Sequence, residues 1–124
     1  MKINLNSVLL FATLISTNLV ISKPQLRFNS EGKFRIVQFT DIHIGEREDL
    51  DIRSLEVVRT VLEKERPEMV FFTGDAISGY GWDKKTSGWF KYQFGKLDAI
   101  MQEFNVPYAY TAGNHDTEGE LNRT

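Results

Sequence analysis

The sequence predicts an α/β fold in which three parallel strands alternate with two helices. Three observations carry this. Short β-branched and aromatic runs occur at 34–40, 69–73 and 107–111, two stretches of helical apolar spacing lie between them, and a polar cluster closes each run. Strands that alternate with helices imply parallel pairing through right-handed crossovers. In open α/β sheets ligands bind beyond the carboxyl ends of the strands, so the three clusters are expected to converge at one edge.

The first run, Phe34-Arg35-Ile36-Val37-Gln38-Phe39-Thr40, reads as a strand that stops at Asp41. Glu46, Arg47, Glu48, Asp49 and Asp51 then read as a solvated, mixed-charge loop. Ile52, Leu55, Val58 or Arg59, and Leu62 recur at helical spacing as far as Arg66-Pro67, where proline excludes the preceding residue from the helix. Met69-Val70-Phe71-Phe72-Thr73 is too short for a helix and reads as a parallel strand covered on both faces, ending at Gly74-Asp75. A loop from Ala76 to about Ser87 contains Gly79 and Gly81. Trp89, Phe90, Gln93, Phe94, Leu97, Ile100, Met101 and Phe104 mark one face of a second helix, and its aromatic members are core rather than a cofactor box. Pro107 to Thr111 is the third strand, closed by Gly113-Asn114-His115-Asp116. There is no internal repeat or low-complexity tract.

Composition narrows the chemistry. The 124 residues are 41% hydrophobic and 26% charged, ordinary for one globular domain. A net charge of −2 with no basic stripe excludes a nucleic-acid polymer as partner. Without cysteine, metal chemistry must rest on His, Asp, Glu and Asn, which favours hard or borderline ions. No Gly-x-Gly-x-x-Gly or Gly-x-x-x-x-Gly-Lys cradle is present for a nucleotide.

Lys2 precedes an apolar run from Val8 to Ile21 broken by Thr13, Ser16, Thr17 and Asn18. The run is short for a bilayer crossing and fits a signal peptide over 1–22, cleaved after Ser22. A secreted or secretory-lumen chain follows, with no stable membrane span after cleavage, a linker at 23–33 and a domain from 34 to 124. The sequon Asn122-Arg123-Thr124 agrees with secretion.

Each cluster taken alone has an everyday reading. Asp41-Ile42-His43 presents a carboxylate and an imidazole from alternate positions, able to grip one cation while Ile42 packs inward, but it also suits a loop held by hydrogen bonds. Gly74-Asp75 places one carboxylate at the sheet edge, as any turn Asp does. Gly113-Asn114-His115-Asp116 offers an amide oxygen, an imidazole and a carboxylate in succession, or a turn with Asn in the left-handed region.

In this order, each behind a strand, the three clusters resemble the Asp-x-His, Gly-Asp and Gly-Asn-His-Asp motifs of the calcineurin-like metallophosphoesterases. The resemblance runs from Phe34 to the end. Phe34–His43 and Gly113-Asn114-His115-Asp116-Thr117-Glu118-Gly119 resemble most the purple-acid-phosphatase-like subgroup of plants and fungi. It implies that the β-α-β-α-β unit is the N-terminal half of a four-layer α/β/β/α sandwich, incomplete as it stands. It also implies a phosphoric-ester hydrolase, monoester rather than diester, that works through a hydroxide bridging two divalent ions, Mn, Fe or Zn. A phosphorylated small molecule or phosphoprotein would be the substrate. By the same resemblance Asp41 and His43 are ligands of the first ion, Asp75 bridges both, and Asn114 is a ligand of the second. His115 faces the substrate as its acid, and Asp116 orients the His115 ring.

Two departures bear on activity. Purple acid phosphatases carry a chromophoric Tyr three residues after the bridging Asp, whereas Ser78 stands there, so no purple colour is expected. The family completes its site with later Gly-His and Gly-His-x-His segments, yet His43 and His115 are the only histidines. A fragment or truncated product with little activity of its own is therefore expected. The alternative is a catalytically inactive relative that binds a phosphate compound or a protein.

Overall fold

A computed structural model describes residues 25–121; the segment 1–22 expected to be a signal peptide and the sequon at 122–124 lie outside them. Strand β1 (Ile36–Phe39), helix α1 (Glu48–Glu65), strand β2 (Met69–Phe72), helix α2 (Trp89–Glu103) and strand β3 (Tyr108–Tyr110) follow one another in the alternating order expected. One-turn 3₁₀ segments at Gly79–Gly81 and His115–Thr117 occupy the loops after β2 and β3. The sheet is parallel, in the order β1-β2-β3, with Ile36 opposite Met69, Phe39 opposite Phe72, and Phe72 opposite Tyr110.

Helix α1 starts before its apolar periodicity does. Glu48, Asp49 and Asp51 form its first turn, where acidic side chains complement the exposed N–H groups and the positive end of the helix dipole. This corrects the reading of the 46–51 charge run as solvated loop. Asp51 is 3% exposed, accepting from the Gly45 backbone N–H (3.0 Å) and from Lys96 Nζ of α2 (2.8 Å). The sequence pattern missed it because its counter-charge lies 45 residues away. At the other end Arg66 takes φ 44° and its N–H still reaches the Leu62 carbonyl, as Pro67 demands of a helix that must stop there.

Both helices pack on one sheet face. Val58 and Leu62 of α1 and Leu97, Ile100 and Met101 of α2 close over Val70 and Phe72. Each fully buried side chain of this size contributes roughly 1.5–3 kcal/mol of transfer free energy. The Phe72 ring meets Phe94 (6.1 Å) and Tyr108 (5.7 Å) edge-on, which suits the aromatic quadrupoles. Tyr108 donates its hydroxyl to Asp98 Oδ1 (2.8 Å), and burial followed by that carboxylate pushes the phenol up to about 12.

The other sheet face is open, so β2 is not covered on both sides. Two crossovers of the same hand along the order β1-β2-β3 must place both helices on one side. Ile36 is 51% and Phe71 36% exposed on the uncovered side, the apolar face expected of a sheet without its partner layer.

The start of α2 is capped from afar. Gly88 has no side chain to cap with, and the Glu120 carboxylate instead accepts from the Gly88 (2.6 Å) and Phe90 (3.1 Å) N–H groups. These bonds, Gly88 first, hold Glu120 below its ordinary value of 4.5. A depressed carboxylate stabilises the fold above its unfolded value and loses that contribution as pH falls through the folded one. Glu120→Gln is accordingly expected to melt below the wild type at neutral pH, with the gap closing in acid. A gap independent of pH in thermal melts would remove Glu120 as the cap.

Candidate functional site

Beyond their last paired residues, β1 and β2 do not part. The Asp41, His43 and Ile44 N–H groups donate to the Gly74, Asp75 and Ala76 carbonyls at 3.0–3.2 Å, and the Ser78 N–H returns to the Ile44 carbonyl at 2.9 Å. Ile44 and Ile77 form an isolated parallel bridge, both 0% exposed, and anchor the paired loops in the core. Asp41 (φ 56°), His43 (φ 56°) and Asp75 (φ 51°) take the left-handed conformation in these loops. Non-glycine residues pay for that conformation only where surrounding bonds impose it, and such positions concentrate at functional sites. Asp41 and His43 thus share a side through left-handed turns rather than through extended alternation, with Ile42 half-buried against the core.

The loop after β3 closes on the other two. Asp75 Oδ1 accepts from the His115 backbone N–H (2.8 Å). Gly113 lies so near Asp75 that a Cβ there would overlap its carboxylate and its backbone nitrogen, and only glycine fits. One nitrogen from each of His43 and His115 and one oxygen of Asp75 lie within 4.8 Å of one another. The two imidazole rings are 4.9 Å apart, and His43 Nε2 is 4.0 Å from Asp41 Oδ1. Asp41, His43, Asp75 and His115 therefore gather at the carboxyl edge of the sheet. Asn114 immediately precedes His115 and is exposed on the same loop.

Two imidazoles and two carboxylates suit a borderline or hard dication. Asp41, His43 and Asp75 would hold it in this chain, with Asn114 and His115 within the same loop cluster. The resemblance assigns His115 to the substrate alone, whereas its ring stands as near His43 and Asp75 as a ligand would.

Asp116 is placed differently from expectation. It does not orient the His115 ring, because its two oxygens are taken by backbone N–H groups: Oδ2 accepts from Asp75 and Gly113 (both 2.7 Å) and Oδ1 from Ile77 (2.8 Å), at 0% exposure. Glu118 fills the orienting position instead, its Oε2 lying 2.7 Å from His115 Nδ1. This carboxylate, first among the causes, raises the His115 pKa above its ordinary value. The one-turn 3₁₀ segment brings residues i and i+3 together, so the spacing His115-x-x-Glu118 carried the signal. Glu46 and Ser78 were missed as well. Ser78 is 0% exposed and its hydroxyl donates to Glu46 Oε1 (2.6 Å), and that oxygen lies 3.6 Å from His43 Nδ1.

Comparison with known proteins points to a family and a fold. The sequence model of the family described as calcineurin-like phosphoesterase matches residues 34–124. A protein of Arabidopsis thaliana named probable inactive purple acid phosphatase 28 is 33% identical over 114 residues, covering 79% of this chain and 27% of that protein. Phosphatase DCR2 of Saccharomyces cerevisiae is 32% identical over 112 residues, covering 80% of this chain and 19% of its own length. The chain thus spans less than a third of either relative. Among solved structures, a dimetal phosphatase from Danio rerio superposes with a TM-score of 0.52 at 18% identity, over 69% of this chain and 31% of that one, a likeness of fold.

Proposed function

Because this chain belongs to the calcineurin-like phosphoesterase family, we propose that it carries the motif-bearing part of a metal-dependent phosphoric-ester hydrolase acting on monoesters. The observation that supports this most is the meeting of His43, Asp75 and His115 within 4.8 Å, with Asp41 beside His43, behind three parallel strands. Two divalent ions, Mn, Fe or Zn, bound at Asp41, His43, Asp75 and Asn114 would neutralise phosphoryl charge and lower the pKa of a bound water. The chain's own residues do the rest. Asp75, whose Oδ1 also receives the His115 N–H, ties the second and third motif loops into one cradle. Glu118 occupies His115 Nδ1 and favours the protonated ring, leaving Nε2 to donate toward the ester oxygen that departs. A phosphorylated small molecule or phosphoprotein is the substrate this reading calls for at the half-exposed edge, and the apolar run before Ser22 supports secretion.

Calorimetric titration with Mn²⁺ tests the reading. Wild-type chain is expected to bind the ion, and His43→Ala to weaken binding by about tenfold or more, in line with loss of a ligand or its support. Equal affinity in both proteins would overturn the assignment. Two further results are expected. Metal-loaded protein, iron included, shows no visible charge-transfer band, since the residue three after Asp75 is a buried serine bonded to Glu46; a purple absorption band would refute this. The 124-residue chain by itself is expected to turn over nitrophenyl phosphate little or not at all with Mn²⁺ or Zn²⁺, because Asp75 and Asn114, even with His115 beside them, would be few donors for a second ion. Turnover at ordinary enzyme rates would show the donor set to be sufficient.

A second reading is favoured by the word inactive in the name of the Arabidopsis relative. In it the same cradle binds a phosphate compound without hydrolysing it. Mn²⁺ binding with no turnover by this chain, even when the missing family histidines are supplied on a longer chain, would select it.

A further inference from the structure

The two nitrogens of the His43 ring face different neighbours. Nε2 lies 4.0 Å from Asp41 Oδ1, while Nδ1 lies 3.6 Å from Glu46 Oε1, just outside hydrogen-bond distance. Glu46 is held at both its ends. Its Oε1 receives the Ser78 hydroxyl at 2.6 Å, and Ser78 is completely buried with its own N–H bonded to the Ile44 carbonyl (2.9 Å). The backbone leading to Glu46 is fixed by the Gly45 N–H on buried Asp51 (3.0 Å) and by Gly81, where any Cβ would overlap the Gly45 carbonyl. A flexible surface glutamate has none of these restraints.

We propose that Glu46 is a positioning residue for His43: anchored by Ser78, its carboxylate closes on Nδ1, accepts that proton, and so leaves an unprotonated Nε2 on the Asp41 side of the ring. A neutral imidazole carries one proton, and which nitrogen holds it is set by the bond the other nitrogen is asked to make. An acceptor fixed at Nδ1 selects the tautomer whose Nε2 lone pair is free, fixes the ring plane, and raises the basicity of the coordinating nitrogen. Ser78 acts through Glu46, the group to which its hydroxyl donates. The inference rests on the metal-binding reading above for its purpose, but its immediate content, the tautomer of His43, does not need a metal to be measured.

Two measurements separate the alternatives. The chain has two histidines, so ¹⁵N spectra of labelled apo protein resolve two imidazoles, assigned with His43→Ala. At a pH where both rings are neutral, wild-type His43 is expected almost wholly in the Nδ1–H form, and Glu46→Ala to shift it toward Nε2–H, the form preferred by a free ring. Mn²⁺ titration of the same proteins is expected to show about a 10- to 100-fold loss of affinity in Glu46→Ala, the range found for outer partners of metal-bound histidines. Ser78→Ala should cause a smaller loss, and none further in the Glu46→Ala background. Glu46→Gln, which keeps the shape and the Ser78 bond, guards against a folding artefact and should fall between wild type and Glu46→Ala. An Nε2–H tautomer in wild type, or full Mn²⁺ affinity in folded Glu46→Ala, overturns the proposal. Failure of the wild type to bind Mn²⁺ while His43 keeps the Nδ1–H form would instead defeat the functional reading and leave the role of Glu46 standing. Additive losses in Ser78→Ala and Glu46→Ala would sink the claim that Ser78 works through Glu46.

Discussion

Asp116→Asn is expected to lower the stability of the fold by about 3 kcal/mol, because a single buried carboxylate holds three backbone N–H groups from two loops. Its Oδ2 accepts from Asp75 and Gly113, and its Oδ1 from Ile77, at 2.7–2.8 Å. The amide is the same size but has one acceptor oxygen, so its NH₂ must face at least one N–H donor. That change replaces an attraction by a repulsion and leaves a buried donor unpaired. For a domain of about 100 residues the loss corresponds to a drop in Tm of roughly 10–25 °C. Thermal melts of the folded chain measure it directly. A drop within a degree or two would mean that water reaches these N–H groups and that Asp116 is not the tie. The tautomer of His115 should stay unchanged in this variant, since Glu118 and not Asp116 faces its ring.

Gly113→Ala is expected to cost about 1–3 kcal/mol of stability and, more tellingly, to weaken Mn²⁺ binding by about tenfold or more. A methyl group at this position overlaps the Asp75 carboxylate and the Asp75 backbone nitrogen. Asp75 cannot yield freely, because its N–H is held by Asp116 and its Oδ1 by the His115 N–H. The strain is therefore passed to the position of a side chain that must sit within roughly half an ångström of its place to function. Calorimetry with Mn²⁺ and a melt on the same sample distinguish the two effects. Unchanged affinity at reduced stability would show that Asp75 is not where the ion binds.

The difference between what was legible and what was not follows the range of the interactions. The three strands and α2 lay within a residue or two of their sequence runs, since period-2 and period-3.6 patterns, Pro67 and the post-strand glycines act over one turn or less. The start of α1 was misread because Glu48, Asp49 and Asp51 look like loop residues until Lys96 and Gly45 are seen beside Asp51. The motif loops are legible as a set, yet adjacency in the chain points to Asp116 as the partner of the His115 ring. Adjacent residues on a 3₁₀ turn point apart, so the neighbour three positions on, Glu118, reached the ring.

By itself, then, the sequence determined the order of elements, the α/β class, the family and the small group of residues from which a site can be built, because each is written in local spacing. Only the tertiary structure decided the strand order, the single covered face of the sheet, and which carboxylate serves which partner. Asp116 ties the loops, and Ser78 pins Glu46 beside His43. The Asp116 bonds to Asp75 and Ile77 and the Ser78–Glu46 bond link positions 32 to 41 residues apart in the chain. Pairings of that separation exist only once the helices have closed on the sheet and brought the three loop ends together, and no periodicity encodes them.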